Sequence, residues 1–344
     1  MKLELTKEFI IDQNCPTPSC HASTVLPMKD GSVGAAWFGG TNESNDDVDI
    51  WFSRRVSGSW SEPVCISADK ALPHWNPVLF QKDEKTVVLF FKVGKKIAFW
   101  KTYFVESTDH GLTWSAPREL VPNDDAGGRG PVKNKAIRLS SGRVLAPAST
   151  EQNHDWRCFV DYSDDELQTW RRSAFIERPT RYRKVVGMIQ PSLWESAPGR
   201  VHMLMRTDCG FVYRSDSSDF GATWSPAYKT GLFNNNSGLD VARTADGRLF
   251  LVSNPVRKNW GERTPLTVVC SDDNGVTWGA GAVLESMPGE YSYPAIVSNG
   301  DELLITYTWN RKKICFARMK VNTDKTAGTH LDGEFSAIVH KNTR

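Results

Sequence analysis

Five tryptophans of this 344-residue chain, Trp60, Trp114, Trp170, Trp224 and Trp278, recur in successive steps of 54, 56, 54 and 54 residues. A period of that length, held that evenly, restricts the chain to a repeat architecture. The residues before each tryptophan repeat as well. Ser107, Asp109, Gly111, Thr113 and Trp114 spell S-x-D-x-G-x-T-W, as do Ser217, Asp219, Gly221, Thr223 and Trp224, and again Ser271, Asp273, Gly275, Thr277 and Trp278. Ser163, Asp165, Thr169 and Trp170 make a fourth copy with Leu167 at the glycine position, and the stretch ending at Trp60 keeps little beyond Trp60, Ser61 and Pro63. The physics of such a unit is local. The carboxylate accepts backbone hydrogen bonds inside a tight turn, glycine takes the left-handed conformation, and the indole plugs between strands.

This turn is the Asp-box, and it links two strands of a hairpin. Around the copies, segments such as KTVVLFFKVG, VHMLMRT, GRLFLVSNP and ELLITYTW are short apolar runs bounded by Gly, Asn, Asp and Ser, the pattern of strands in an all-β fold. Each period has room for four strands, which is one propeller blade. Five boxes plus the segment from Tyr291 onward predict a six-bladed β-propeller over residues 1–344 as a single domain, with ELTKEFII near the N-terminus closing the last blade. That closure would suppress an exposed sheet edge. Asp-boxes at peripheral turns are scaffold, so the function has to be sought elsewhere.

Composition narrows the classes. Hydrophobic residues at 40% and charged residues at 24% suit a soluble domain able to bury a core. The net charge of +2, with 42 basic residues scattered singly along the sequence, gives no case for nucleic acid or another polyanion. No apolar run approaches the roughly 18 residues of a membrane span, and MKLELTKEFIIDQ has no signal-like core, so the expected location is cytoplasmic, or secreted or periplasmic for a mature form. Seven cysteines without a CxxC pair predict reduced thiols, with neither a metal site nor a cofactor expected.

A propeller aims residues at its axis from the start of each innermost strand and from the loop joining the second and third strands of each blade. The inner strands are expected near His21, HWNP (His74 to Pro77), RGPVKNK (Arg129 to Lys135), QPSLWE (Gln190 to Glu195), NNNS (Asn234 to Ser237) and YSYP (Tyr291 to Pro294). The loops hold NESNDD (Asn42 to Asp47), Lys92, Glu151 to Arg157, Arg206, NPVRKNWGER (Asn254 to Arg263) and Tyr307 to Lys312. Asn76 and Asn235 are candidate polar contacts, and Trp75, Trp156, Trp260 and Trp309 candidate platforms for the apolar face of a sugar.

Blade by blade, these segments resemble the sialidases. HASTVLPMKDGSVGAAWFGG is similar to that family's opening strand, HWNPVLF to its second-blade Asn-Pro strand, and RGPVKNKAIRL with VLAPAS to its third-blade pairs. The resemblance implies that Tyr293 is the nucleophile, that Glu195, or alternatively Glu151, takes its proton, and that Asp47 or its neighbour Asp46 is the acid/base. It also implies that Arg206 and Arg263 bind the substrate carboxylate. The family's first arginine is His21 here, which leaves Arg129 or Arg311 to complete a three-cation clamp. The implied partner is a carbohydrate and the implied reaction exo-glycoside hydrolysis of a terminal acidic sugar. A uronate lyase using His21, His74, Tyr293 and Arg206, and a non-catalytic glycan-binding propeller, are the alternatives.

Overall fold

A computed structural model describes residues 4–11, 15–67, 71–153 and 155–321. Apart from one 3₁₀ turn over Ile97–Phe99, every regular element among them is a strand. The strands form six antiparallel blades, each running outward from its inner strand. In chain order the inner strands are Ser19–Pro27, His74–Gln81, Ile137–Arg138, Met188–Ala197, Asp240–Arg243 and Tyr291–Asn299. The outermost strand of blade 6 is Glu4–Phe9, paired with Lys313–Lys320 from Glu4↔Lys320 to Phe9↔Cys315. The expected closure is therefore met, and blade 1 is tied to it. The Glu8 carboxylate accepts from Arg55 Nε at 2.6 Å and from the Trp60 indole at 2.8 Å. A separate hairpin, Thr180–Arg181 with Lys184–Val185, stands between blades 3 and 4.

Second strands such as Val87–Val93 are buried at every residue because neighbouring blades cover both faces. That burial explains why they read as continuous apolar runs and not as alternating ones. The box tryptophans staple one blade to the preceding one. Trp114 of blade 2 meets Phe52 of blade 1 edge-on at 5.1 Å, Trp170 of blade 3 meets Phe90 of blade 2 at 6.1 Å, and Trp60 of blade 1 meets Phe316 of blade 6 at 5.2 Å. Within a box the carboxylate organises the turn: Asp273 accepts from the Thr277 backbone N–H at 2.8 Å and from its hydroxyl at 2.5 Å. These bonds, led by that of the hydroxyl, hold Asp273 down at about 2. Gly111 has φ +85°, and a Cβ there would meet the Phe52 ring at 2.6 Å. Leu167 adopts a similar φ of 69° in the copy that lacks glycine.

The inner strands share a device that matters for the site. Register breaks lie between His21 and Thr24, Trp75 and Val78, Ile189 and Ser192, and Ser292 and Ala295. Inside each break one residue has positive φ: Ala22 (54°), Asn76 (44°), Gln190 (52°) and Tyr293 (52°). Asn236 (60°) does the same ahead of the blade 5 inner strand. A non-glycine residue held there costs about 1–3 kcal/mol, and bulges of this kind re-aim side chains.

Candidate active site

Tyr293, Arg206 and Gln190 converge at one end of the axis. Arg206 extends from the end of the second strand of blade 4 (Arg200–Thr207) and is only 2% exposed. Its Nε donates to Asn236 Oδ1 at 2.7 Å, and its Nη1 donates to Gln190 Oε1 at 3.0 Å and to the Tyr293 phenol oxygen at 2.8 Å. Arg263 and Arg311 are both gripped by Glu290, at 2.6 and 2.7 Å, and Arg311 also pairs with Glu43 of the 41–48 loop. Arg263 lies 5.5 Å from the Tyr293 ring centre, Arg206 5.7 Å and Lys133 5.9 Å. Burial brings Lys133 down to about 7, opposed by Asp240 and reinforced by Lys135 and Arg206.

His21 occupies the first-blade position of this cluster. Its ring tilts against Tyr293 at 4.3 Å, and neither ring nitrogen has a hydrogen-bond partner. Burial holds it well below the ordinary imidazole value, and Arg311, Arg263, Lys133 and Arg206 add to the depression. His21 is therefore a neutral ring among three arginines, of which the third, Arg311, comes from blade 6, with Lys133 beside them.

The structure moves several expected residues out of the site. Glu195 sits at the far end of the inner strand that begins near Gln190. There it accepts from the Ser140 backbone and hydroxyl at 2.8 and 2.9 Å and from the Gly199 backbone at 3.0 Å. It is a turn clasp on the opposite face, so it cannot take a proton from Tyr293. The half-buried carboxyl that feels the Arg206 charge is Glu151, raised above its usual value by desolvation, with Arg206 opposing. Arg129 is consumed by Asp161 at 3.0 Å and by Asp124 in an interior ion pair. Trp75 is core, with its indole donating to the Gly94 carbonyl at 2.9 Å and its ring against Trp100 at 5.0 Å. Asn76 donates to the Val132 carbonyl at 3.0 Å, joining blade 2 to blade 3, and Asn235 donates to the Gly261 carbonyl at 3.3 Å, anchoring the loop that carries Arg263. Asp47 accepts from the Thr41 hydroxyl and backbone at 2.5 and 2.9 Å, and those bonds, the hydroxyl's first, hold its carboxyl low. Asp46 pairs with exposed Lys95 at 2.8 Å. Neither bonds to the Tyr293 cluster. His74 binds Asp49 at 3.0 Å through Nδ1, with its ring edge-on to Phe91.

Four site residues were not singled out from the sequence: Gln190, Asn236, Lys133 and Glu290. A signal existed for one of them. Asn76-Pro77, Gln190-Pro191 and Tyr293-Pro294 repeat at the same place in the blade, marking Gln190 as the counterpart of Tyr293. A second polar chain, Ser196 Oγ to His202 Nε2 at 2.7 Å and His202 Nδ1 to Asp216 at 2.5 Å, resembles a nucleophile relay. Arg214 Nη2 at 2.9 Å from Nδ1 and Asn274 at 3.1 Å from Nε2 occupy the ring nitrogens, making it a clasp between blades 4 and 5.

The fold and its residues define a sialidase-like propeller. A family model for BNR repeat-like domains matches residues 31–305, and the chain belongs to that family. It is similar to an exo-alpha-sialidase of Aspergillus fumigatus, 32% identical over 108 residues, which is 27% of this chain and 26% of the relative. Among solved structures, a Dyadobacter fermentans protein of unknown function aligns with TM-score 0.76 at 17% identity, over 93% of this chain and 99% of its own. A Hadza microbial sialidase aligns with TM-score 0.75 at 15% identity, over 88% of this chain and 66% of its own. This chain thus spans about a quarter of the fungal relative and two-thirds of the microbial one.

Proposed function

We propose that this protein is a sialidase-like exo-glycosidase that hydrolyses a terminal anionic sugar with Tyr293 as nucleophile. The observation that carries this reading is the 2.8 Å bond from Arg206 to the Tyr293 phenol inside a cluster of Arg263, Arg311 and Lys133. The cations neutralise the substrate's acid group, and a phenol nucleophile is repelled by that group less than a carboxylate would be. Glu151 takes the phenol proton as the Tyr293 oxygen bonds to the anomeric carbon. Asp46, which pairs with exposed Lys95 and makes no bond to the Tyr293 cluster among the described residues, is the carboxyl that the family resemblance assigns to protonating the departing alcohol. Asp46 then takes a proton from water as the water oxygen bonds to the anomeric carbon, the Tyr293 oxygen leaves and recovers its proton from Glu151, and the sugar departs with its original anomeric configuration.

A second reading, elimination at a uronate, has one specific support: a neutral, unpartnered His21 beside Tyr293 can remove a proton. Product analysis separates the two. Hydrolysis releases a saturated sugar whose first-formed anomer, followed by NMR, is the retained one. Elimination releases an unsaturated product absorbing in the ultraviolet, and its appearance would displace the hydrolase reading.

A further inference from the structure

Arg181, Lys229 and Arg257 come from three separate segments: the hairpin between blades 3 and 4, the outer strand of blade 4 (Tyr228–Phe233), and the loop after the second strand of blade 5 (Leu249–Ser253). All three nevertheless stand over one ring. The Lys229 ammonium is 3.8 Å from the Phe211 centre, and the Arg257 and Arg181 guanidinium carbons are 4.9 and 5.2 Å from it. Among the described residues none of the three is ion-paired. Arg181 spends an N–H on the Cys209 carbonyl at 3.1 Å, and the adjacent Asp208 is committed to Lys184 at 2.8 Å and the Gly187 backbone at 3.0 Å. The ring face offsets part of the repulsion among the cations, but three like charges without a counter-charge make a local positive potential that an anion relieves. Three of the basic residues that look scattered in the sequence are gathered here by the fold.

One loop and one end of blade 4 link the patch to the Tyr293 cluster. Arg257 shares its loop with Trp260, whose ring lies 5.6 Å from Arg206 and edge-on to Trp156 at 6.1 Å. Phe211 is at the end of blade 4 that carries Arg206, and its carbonyl accepts from Thr207 at 2.6 Å.

We propose that Arg181, Lys229 and Arg257 form a subsite for a second acidic group, carboxylate or sulfate, on the same glycan. The substrate is then an anionic oligosaccharide running from Tyr293 across Trp260 to blade 4. This rests on the glycosidase reading for its direction, and it is tested separately. The Tyr293→Phe protein is titrated calorimetrically with a heparin-derived hexasaccharide and with its desulfated, carboxyl-reduced counterpart, before and after adding Lys229→Glu and Arg257→Glu. Both positions are exposed, and unchanged thermal melts will show that the charge-reversed protein folds. The anionic hexasaccharide should bind in a salt-sensitive way and weaken about tenfold or more on charge reversal, with no binding of the neutral counterpart. In the Tyr293 protein, the same reversal should leave kcat/KM on a small fluorogenic glycoside unchanged. Equal hexasaccharide binding by the charge-reversed protein would overturn the subsite, as would equally tight binding of a single-stranded oligonucleotide. Charge-dependent hexasaccharide binding without turnover of any glycoside would keep the subsite and remove the hydrolase reading.

Discussion

Arg206 gives one N–H to the Tyr293 phenol oxygen at 2.8 Å while Asn236 holds its Nε at 2.7 Å, so a residue of blade 4 fixes the position of a residue of blade 6. Lysine has no planar fork with which to serve Asn236, Gln190 and Tyr293 together. Arg206→Lys should therefore lower kcat/KM on an anionic fluorogenic glycoside by about 10- to 100-fold while the protein stays folded. Initial rates in the two proteins test this, and equal values would remove Arg206 from the reaction.

Glu151 carries a second prediction, on pH. Burial raises its carboxyl above the ordinary 4.5, so the basic form needed to accept a proton develops above that value. The acid limb of the kcat profile should lie correspondingly high, and Glu151→Gln should abolish the limb with most of the rate. The stability sign is opposite to that of a paired carboxylate. A folded-state value above the unfolded one favours the native state at low pH, and that contribution is lost as pH rises through the folded value. Glu151→Gln should consequently melt higher than the parent at neutral pH, with the gap closing toward pH 4. A gap that widened toward low pH would contradict the burial of this carboxyl.

The Asp-boxes should affect stability and not chemistry. Asp219 accepts from the Ser217 and Thr223 hydroxyls at 2.7 and 2.6 Å, and losing such charge-assisted bonds in Asp219→Ala should cost about 1–3 kcal/mol in urea unfolding. Turnover per folded molecule should not change. Asp273, depressed to about 2 by Thr277 and its neighbours, contributes stability that is complete above the ordinary aspartate range. That contribution is lost as pH falls through about 2. A fall in kcat equal to the loss of folded protein would fit this role, and a larger one would not.

Closure of the ring is a further test. Deleting residues 1–10 would uncover the outer edge of Lys313–Lys320 and remove the Glu8 contacts to Arg55 and Trp60. An uncovered edge of that kind lowers the melting temperature and promotes association. Melting and size-exclusion chromatography check both effects, and an unchanged melt and elution volume would show that the strand is dispensable.

The architecture was legible in the sequence because its determinants are local and repeated. The Trp114, Trp224 and Trp278 boxes each carry the whole instruction for a turn, and repetition amplifies it. Tyr293, Arg206, Arg263 and Arg311 were named from the family resemblance, and the fold gathers them because inner strands and the loops between second and third strands point to the axis. Glu195 was misplaced because a strand long enough to span the blade has two ends, and residue type does not say which end faces the pocket. Arg129 and Trp75 were misjudged for another reason: their partners, Asp161 on the strand Asp155–Ser163 and Gly94 just past Val87–Val93, are distant in sequence, and only the folded chain shows that their polar groups are already satisfied. Glu290 was missed because its meaning lies in joining Arg263 to Arg311 across a fold-generated contact.

The most direct test of the central claim is the rate of release of a fluorogenic leaving group from an α-sialoside, followed by other anionic glycosides, measured for the parent protein and for Tyr293→Phe side by side. The account predicts turnover by the parent on at least one anionic glycoside and none by Tyr293→Phe. Turnover that survives in Tyr293→Phe, or no turnover of any glycoside by the parent, would contradict it.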